Sequence, residues 1–405
     1  MKRLVSYLLI VFLLLFLVAC QSGSGLASNE ASTDEPIRIG VSLPLTGRFE
    51  GPGTGTHRGY ETWVDLVNEA GGLLGRPVEL VVVDNGSDPD VAVADYEKLI
   101  TEDQVDLVVG PFSSFLVIPT SEVAAQHGYA FVEPAGGAPE VFSRGLDNLF
   151  FAQPGVAASQ GDPFSLYILS LPEDQRPQTF AIVAEDDPFA QGMIQRSKTL
   201  LTDGGLEMVY EVAYLPGEAD FAQIADEVAA LNPDLLLASS FPEDAVAQVQ
   251  AYQAADYQPH FAFIGQGPTV PEIFKGELGT ATEGIFSSIS WYPESKEYQN
   301  NEFVTRYLEL FGGSLGDIPE DAANAFTVGQ ILQQAVEKID SIDNTELIEE
   351  LHRGTYDTVV GSISFDETGA PQGAYMLLQW QGDNFVIVGP SDRAEMDPIA
   401  SKPTW

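Results

Sequence analysis

Gly51-Pro-Gly-Thr-Gly55 follows one apolar run and Asp84 ends the next, so the first chemistry to weigh is nucleotide binding. The third glycine is misplaced for the dinucleotide fingerprint, and no Gly-Lys-Ser or Gly-Lys-Thr follows for a P-loop. His57, His127, His260 and His352 are scattered without metal-ligand spacing. With 60 acidic residues in the chain, no carboxylate pair stands out as a general acid and base. Cys20 is the only cysteine, which excludes an internal disulfide and a cysteine metal site. Neither cofactor nor metal is expected, and the chain reads as a binder in place of an enzyme.

The start of the chain sets the compartment. Lys2 and Arg3 precede the almost wholly apolar stretch Leu4 to Val18, and Leu17-Val18-Ala19-Cys20 closes it with small residues before the cysteine. This is the pattern of a secretory signal over 1–20, and the run stops short of the roughly 20 apolar residues of a spanning helix. Residues 21–35 are too polar to bury a core and are expected to form a flexible tether. The segment resembles the lipobox of bacterial lipoproteins, which implies lipidation at Cys20 and an extracytoplasmic chain anchored to the cell membrane. Export also removes it from the soluble pool of nucleotide cofactors. The formal net charge of −42, spread along the chain, makes nucleic acid and anionic lipid surfaces poor partners.

About 370 residues remain beyond the tether, more than one typical core holds, so two lobes are expected. Apolar periodicity predicts strands at 37–43, 78–83, 105–109 and 129–132, alternating with helices near 56–70, 91–102 and 116–127. The same order returns with strands at 179–184, 207–213, 234–238 and 261–264, and helices at 189–203, 220–231 and 243–254. Ala70-Gly71-Gly72 and Asp203-Gly204-Gly205 end the first helix of each series, where glycine can take the left-handed cap conformation. Alternation of this kind requires mostly parallel sheets covered by helices on both faces. Ligands of such sheets bind beyond the carboxyl ends of the strands. Ile285 to Trp291, Ser362 to Phe365 and Tyr375 to Trp380 read as further strands, and 296–311 and 321–338 as helices. These are too few for a third sheet, so the tail is expected to complete the two lobes through three crossings, a natural hinge.

Ile37-Arg-Ile-Gly-Val-Ser-Leu-Pro-Leu-Thr-Gly47, Asn68-Glu-Ala-Gly-Gly-Leu-Leu-Gly75, Asp84-Asn-Gly-Ser-Asp-Pro89 and Gly110-Pro-Phe-Ser-Ser114 occur in order. Glu133-Pro134 before Gly-Gly-Ala-Pro-Glu140, and Gly361-Ser-Ile-Ser-Phe-Asp366 before Gly369, extend the series. Together they resemble the branched-chain amino acid type of periplasmic binding protein over nearly all of residues 36–390. The resemblance implies a two-lobed type I α/β fold, with lobe 1 at 36–155 plus 286–373, lobe 2 at 156–285 plus 374–390, and 391–405 as a C-terminal tail. It also implies a small-molecule ligand captured by lobe closure, an ABC permease and its ATPase as partners, and a monomer. A ligand sensor that signals to a membrane receptor without transport uses the same closing step, and sequence does not separate the two.

The resemblance also places the site. Family members hold a ligand carboxylate with a backbone group and a serine hydroxyl in the loop Phe112-Ser113-Ser114, where Ser114 is the best match. A helix beginning there would add its positive end, and either serine could instead cap that helix. The next family loop commonly offers a threonine, but here it is Ala135-Gly136-Gly137, so only backbone donors of Gly136 and Gly137 are expected. Aromatic family positions fall on Phe189 and Phe241, each of which could equally be core. The acids that pair with a ligand ammonium fall near Ala157 and near Gln266-Gly267, and neither position is acidic. A buried ammonium without a countercharge is costly, so a simple aliphatic α-amino acid is not expected unless Asp321 substitutes. Gln153 and Gln266 would suit an amide, urea or hydroxyl group. The expected ligand carries a carboxylate or amide end and an apolar body.

Overall fold

The computed structural model describes residues 35–391 and 393–405, and the side chains of Pro271 and Glu272 are not described. The secretory segment and Cys20 therefore lie outside the described residues. From Pro36 the chain builds two sheets, each covered by helices on both faces.

The first sheet has five parallel strands: β1 (Ile37–Leu43), β2 (Val78–Asp84), β3 (Leu107–Val109), β4 (Phe131–Glu133) and β5 (Leu149–Phe151), in the order β2-β1-β3-β4-β5. β1 is buried at every position but Arg38 because both its faces are covered, as for a central parallel strand. One face packs against helices Glu50–Glu69, Asn300–Phe311 and Glu320–Ile339 through residues such as Trp63, Phe303 and Phe326. The other packs against Pro89–Thr101 and Ser114–Gln126 through Tyr96, Leu99 and Val117.

The second sheet holds β6 (Thr179–Glu185), β7 (Glu207–Tyr214), β8 (Leu235–Ser240), β9 (Phe261–Gln266) and β10 (Ile285–Ile289), all parallel. A small antiparallel pair in lobe 1, β11 (Thr355–Thr358) with β12 (Gly361–Ser364), comes next along the chain. Then β13 (Met376–Gln381) and β14 (Asn384–Gly389) add antiparallel to the edge of the second sheet, giving the order β14-β13-β10-β9-β8-β6-β7. The chain thus passes between the sheets after β5, after β10 and before β13. Tyr375, at the third passage, has its hydroxyl 2.8 Å from Gln153 Oε1 and 2.6 Å from the Gly155 carbonyl at the first.

The two lobes start their helices with the same device. Asp88 accepts from the N–H groups of Asp90 and Val91 before Pro89, and Asp187 accepts from those of Phe189 and Ala190 before Pro188. Gly72 (φ +83°) and Gly205 (φ +95°) sit in the left-handed region just past the first helix of each series.

Three expectations need correction. The first helix begins at Glu50, not near 56, because the glycine stretch is itself helical and serves close packing: a Cβ at Gly53 would lie 2.1 Å from the Pro44 carbonyl oxygen. Gly59 faces the Ala322 carbonyl at the same distance, so these glycines admit backbone and not phosphate. The lobe boundary also shifts, since Phe286 to Ile289 still pair within the second sheet. Finally, residues beyond 390 are no separate tail: the Lys402 N–H donates to the His260 carbonyl at 2.7 Å and the Trp405 indole donates to the Tyr257 carbonyl, both on lobe 2.

Candidate functional site

The carboxyl ends of both sheets face one cleft, which holds a cavity of about 440 Å³. Lobe 1 lines it with Arg48 and Phe49 after β1, Phe112 and Ser113 after β3, Ala135 after β4, and Glu320, Asp321 and Asn324 at the start of a helix. Lobe 2 contributes Gln160, Glu185 and Asp187 at the end of β6, Phe189, Phe241 and Asp244 at helix starts, and Gln266 at the end of β9. Local packing fixes these loops. Tyr60 and Tyr96 donate their phenolic protons to the carbonyls of Gly110 and Val109, which anchors the end of β3 where Phe112 and Ser113 emerge.

Of the sequence-derived residues, Phe112, Ser113, Phe189, Phe241, Gln266 and Asp321 line the cavity, as does Gln153. Ser114, Gly136 and Gly137 do not. The Ser114 hydroxyl is fully buried and accepts from the Ala138 N–H at 3.1 Å, so it ties two loops together. The Gly136 N–H donates to the buried Glu133 carboxylate, and Gly137 packs against Ala157 and the Phe189 ring. The nearest free serine is Ser113, the N-cap residue of Ser114–Gln126, whose hydroxyl makes no cap bond and has no partner among the described residues. Gln160 Oε1 and Gln266 Oε1 are likewise buried without a partner. Three cleft atoms are therefore left for a ligand: one hydroxyl able to donate and two amide oxygens able to accept.

Sequence reasoning missed the charged residues that matter most. Arg48, from lobe 1, forms an ion pair with Glu185 of lobe 2, and its guanidinium lies 4.7 Å from the Phe49 ring and 5.5 Å from the Phe241 ring. Phe49, Phe112 and Phe241 form an aromatic cluster with centroids 5.6 to 6.3 Å apart. Burial lowers the Arg48 pKa, opposed by the charges of Asp187 and Asp244. Burial likewise raises Asp187 and Asp244, only partly offset for Asp187 by the two N–H groups it caps. On lobe 1, burial pushes Glu320 up to about 7, against hydrogen bonds from the Ser290 N–H and hydroxyl, and pushes Asp321 up to about 8 with help from neighbouring Glu320. Glu185 at the end of an otherwise apolar strand is a local signal, whereas Arg48, in the loop beyond β1, carries none of its own.

The sequence profile of the periplasmic binding proteins matches residues 36–384, almost the whole described chain. The chain belongs to that family. Among similar curated sequences, a Leu/Ile/Val-binding protein, BraC3, of Rhizobium johnstonii is 27% identical over 86% of this chain and 93% of its own length. Leu/Ile/Val-binding protein homolog 3 of Brucella melitensis is 24% identical over 87% and 93%. Among solved structures, the branched-chain amino acid binding protein LivJ of Streptococcus pneumoniae, in complex with isoleucine, superposes with a TM-score of 0.76 at 19% identity, covering 88% of this chain and all of that one. An R. palustris solute-binding protein in complex with benzoate gives 0.75 at 20% identity, covering 88% and 96%. The fold is that of a type I periplasmic binding protein, the extracytoplasmic binding component of an ABC transporter.

Proposed function

We propose that this periplasmic binding protein captures a small amino acid-like solute bearing a positively charged amine and an apolar body, and hands it to an ABC permease driven by a separate ATPase. One observation carries the reading: six carboxylic acids, Glu185, Asp187, Glu243, Asp244, Glu320 and Asp321, line the cavity against a single basic residue, Arg48. Sequence alone removed the two acids expected near Ala157 and Gln266, and with them the simple α-amino acid; the acids that line the cleft from other positions readmit it. A bare carboxylate such as benzoate would meet net negative charge, whereas an ammonium would meet carboxylates, aromatic faces and the free oxygens of Gln160 and Gln266. The Ser113 hydroxyl, at a helix start, suits the acceptor end of the same molecule. Lobe closure around it would expel water and strengthen each of these contacts.

The proposal is of binding and release without turnover, by a monomer tethered to the membrane through lipid on Cys20. Calorimetry against the L-amino acids and against carboxylates without an amine tests the ligand class: sub-micromolar binding confined to amine-bearing probes supports it, and tight binding of benzoate refutes it. Cys20→Ala should release the chain from membranes or block its processing, and unchanged attachment would refute the anchor.

A further inference from the structure

Arg48 is the one basic side chain among the described residues that line the cavity, and it is already committed. It pairs with Glu185 across the cleft, and the charges of Asp187 and Asp244 act on it as well. Three acids of lobe 2 thus share a cation that lobe 1 supplies. The acids of lobe 1 have none among the described residues: Glu320 accepts from the Ser290 N–H and hydroxyl, Asp321 has only its own backbone N–H, and no basic group acts on either. Burial, with no countercharge to oppose it, raises both carboxyls. An incoming ammonium therefore gains most at Asp321 and Glu320, where it supplies the missing countercharge, and least on lobe 2, where the guanidinium is already in place.

An anion fares differently. The N–H groups of Ala135 and Gly136, in the loop after β4, both donate to the Glu133 side chain, and the Ser114 hydroxyl, beyond β3, accepts the Ala138 N–H. Both loops are thereby closed on lobe 1 itself, and the Ser113 hydroxyl at the helix start is what they still offer. One hydroxyl suits a carbonyl, ether or alcohol oxygen and falls short of a carboxylate with two charged oxygens. Charge decides more strongly still. Even with Glu320 and Asp321 both protonated, Glu185, Asp187, Glu243 and Asp244 line the cavity against Arg48 alone, so a carboxylate would meet surplus negative charge in a part-buried site. Gln160 Oε1 and Gln266 Oε1, buried without a partner among the described residues, add two more acceptors that repel it.

We infer that the solute is a cationic amine without a carboxylate, its ammonium received by Asp321 and Glu320 on lobe 1, its uncharged acceptor end by Ser113, and its apolar body by the rings of Phe112 and Phe241. Amino acid carboxamides and amino alcohols have this chemistry. The inference rests on the amine-bearing solute proposed above and narrows that class to members with no negative charge.

The test is calorimetry with the whole folded protein against three matched probe sets: the standard L-amino acids, their carboxamides and their amino alcohols. The best carboxamide or amino alcohol should bind the wild type at least about tenfold more tightly than its parent amino acid. Asp321→Asn should weaken that probe by at least about tenfold, as expected for a lost charged hydrogen bond. If every amino acid binds as tightly as its carboxamide and alcohol, or more tightly, the cleft reads a carboxylate: the inference is overturned while the amine-bearing solute survives. If Asp244→Asn, and not Asp321→Asn, removes binding, the ammonium belongs on lobe 2 and the inference is overturned in its placement of that charge. Failure of every amine-bearing probe overturns both readings. Should Asp321→Asn fail to fold, the comparison of probes on the wild type decides, because it needs no variant.

Discussion

The Ser114 hydroxyl accepts the Ala138 N–H at 3.1 Å inside lobe 1, while its neighbour Ser113 faces the cleft with no partner. Two adjacent serines thus divide two tasks. Ser114→Ala would leave a buried N–H unsatisfied, at a cost of about 1–3 kcal/mol, and should lower the melting temperature while changing affinity only through the loop it holds. Ser113→Ala removes a hydroxyl that has no partner among the described residues, so stability should hold and solute affinity should fall by about tenfold. Chemical denaturation and calorimetry on both variants would show the opposite pattern if Ser114 were the ligand contact.

Stability should also carry a pH signature. Burial pushes the carboxyl of Glu133 up to about 8, against hydrogen bonds from the N–H groups of Ala135 and Gly136, and raises Glu320 to about 7 and Asp321 to about 8. Each is raised above its unfolded value near 4, so between about pH 4 and 8 the folded chain binds more protons than the unfolded one. Stability from these groups is complete below that window and is lost as pH rises through the folded values. Thermal melts at fixed ionic strength should fall from pH 5 to 8.5, with a shallower fall for Glu133→Gln. An equal slope in the variant would show that Glu133 titrates normally.

How much of this was legible in the sequence depended on how local each signal is. Strands such as 37–43 and 207–213 stand out because both flanks and the apolar run agree, and the Asp-Pro starts at Asp88 and Asp187 are caps written in adjacent residues. β5, β11 and β14 escaped notice: the first two are three and four residues long, and the third follows β13 after a turn of only two residues. The cleft aromatics and Asp321 were reachable through family spacing. Arg48 and Glu185 were not, because their meaning lies in a contact across 137 positions that only the folded chain creates.

Gly59 offers a test of the packing that positions Asp321. A Cβ there would come within 2.1 Å of the Ala322 carbonyl oxygen and 2.8 Å of the Ala325 Cβ, on the helix that begins at Glu320. Gly59→Ala should force the two helices apart and destabilise the fold by about 1–3 kcal/mol. Gly51→Ala, in the same glycine stretch but with nothing within 4 Å of its Cβ, should be neutral or stabilise by up to about 1 kcal/mol. Equal effects in urea titrations would show that the helix contact is looser than this geometry.

The cross-cleft pair predicts the shape of the empty protein. The contacts joining the lobes at the cleft include the Arg48–Glu185 pair and the packing of Phe49 and Phe112 against Phe241, with centroids 5.8 and 6.3 Å apart. Arg48 belongs to both sets, since its guanidinium also covers the Phe49 and Phe241 rings. Arg48→Ala therefore removes the charge pair and uncovers the aromatic contact at once, leaving Glu185 with a reason to seek water. An opened cleft would hydrate that carboxylate, so the variant should populate open lobes. Small-angle scattering of ligand-free protein should give a larger radius of gyration for Arg48→Ala than for wild type, and added salt should move the wild type in the same direction by screening the pair. Identical profiles for the two proteins at low salt would mean that the hinge segments, and not the pair, hold the lobes together.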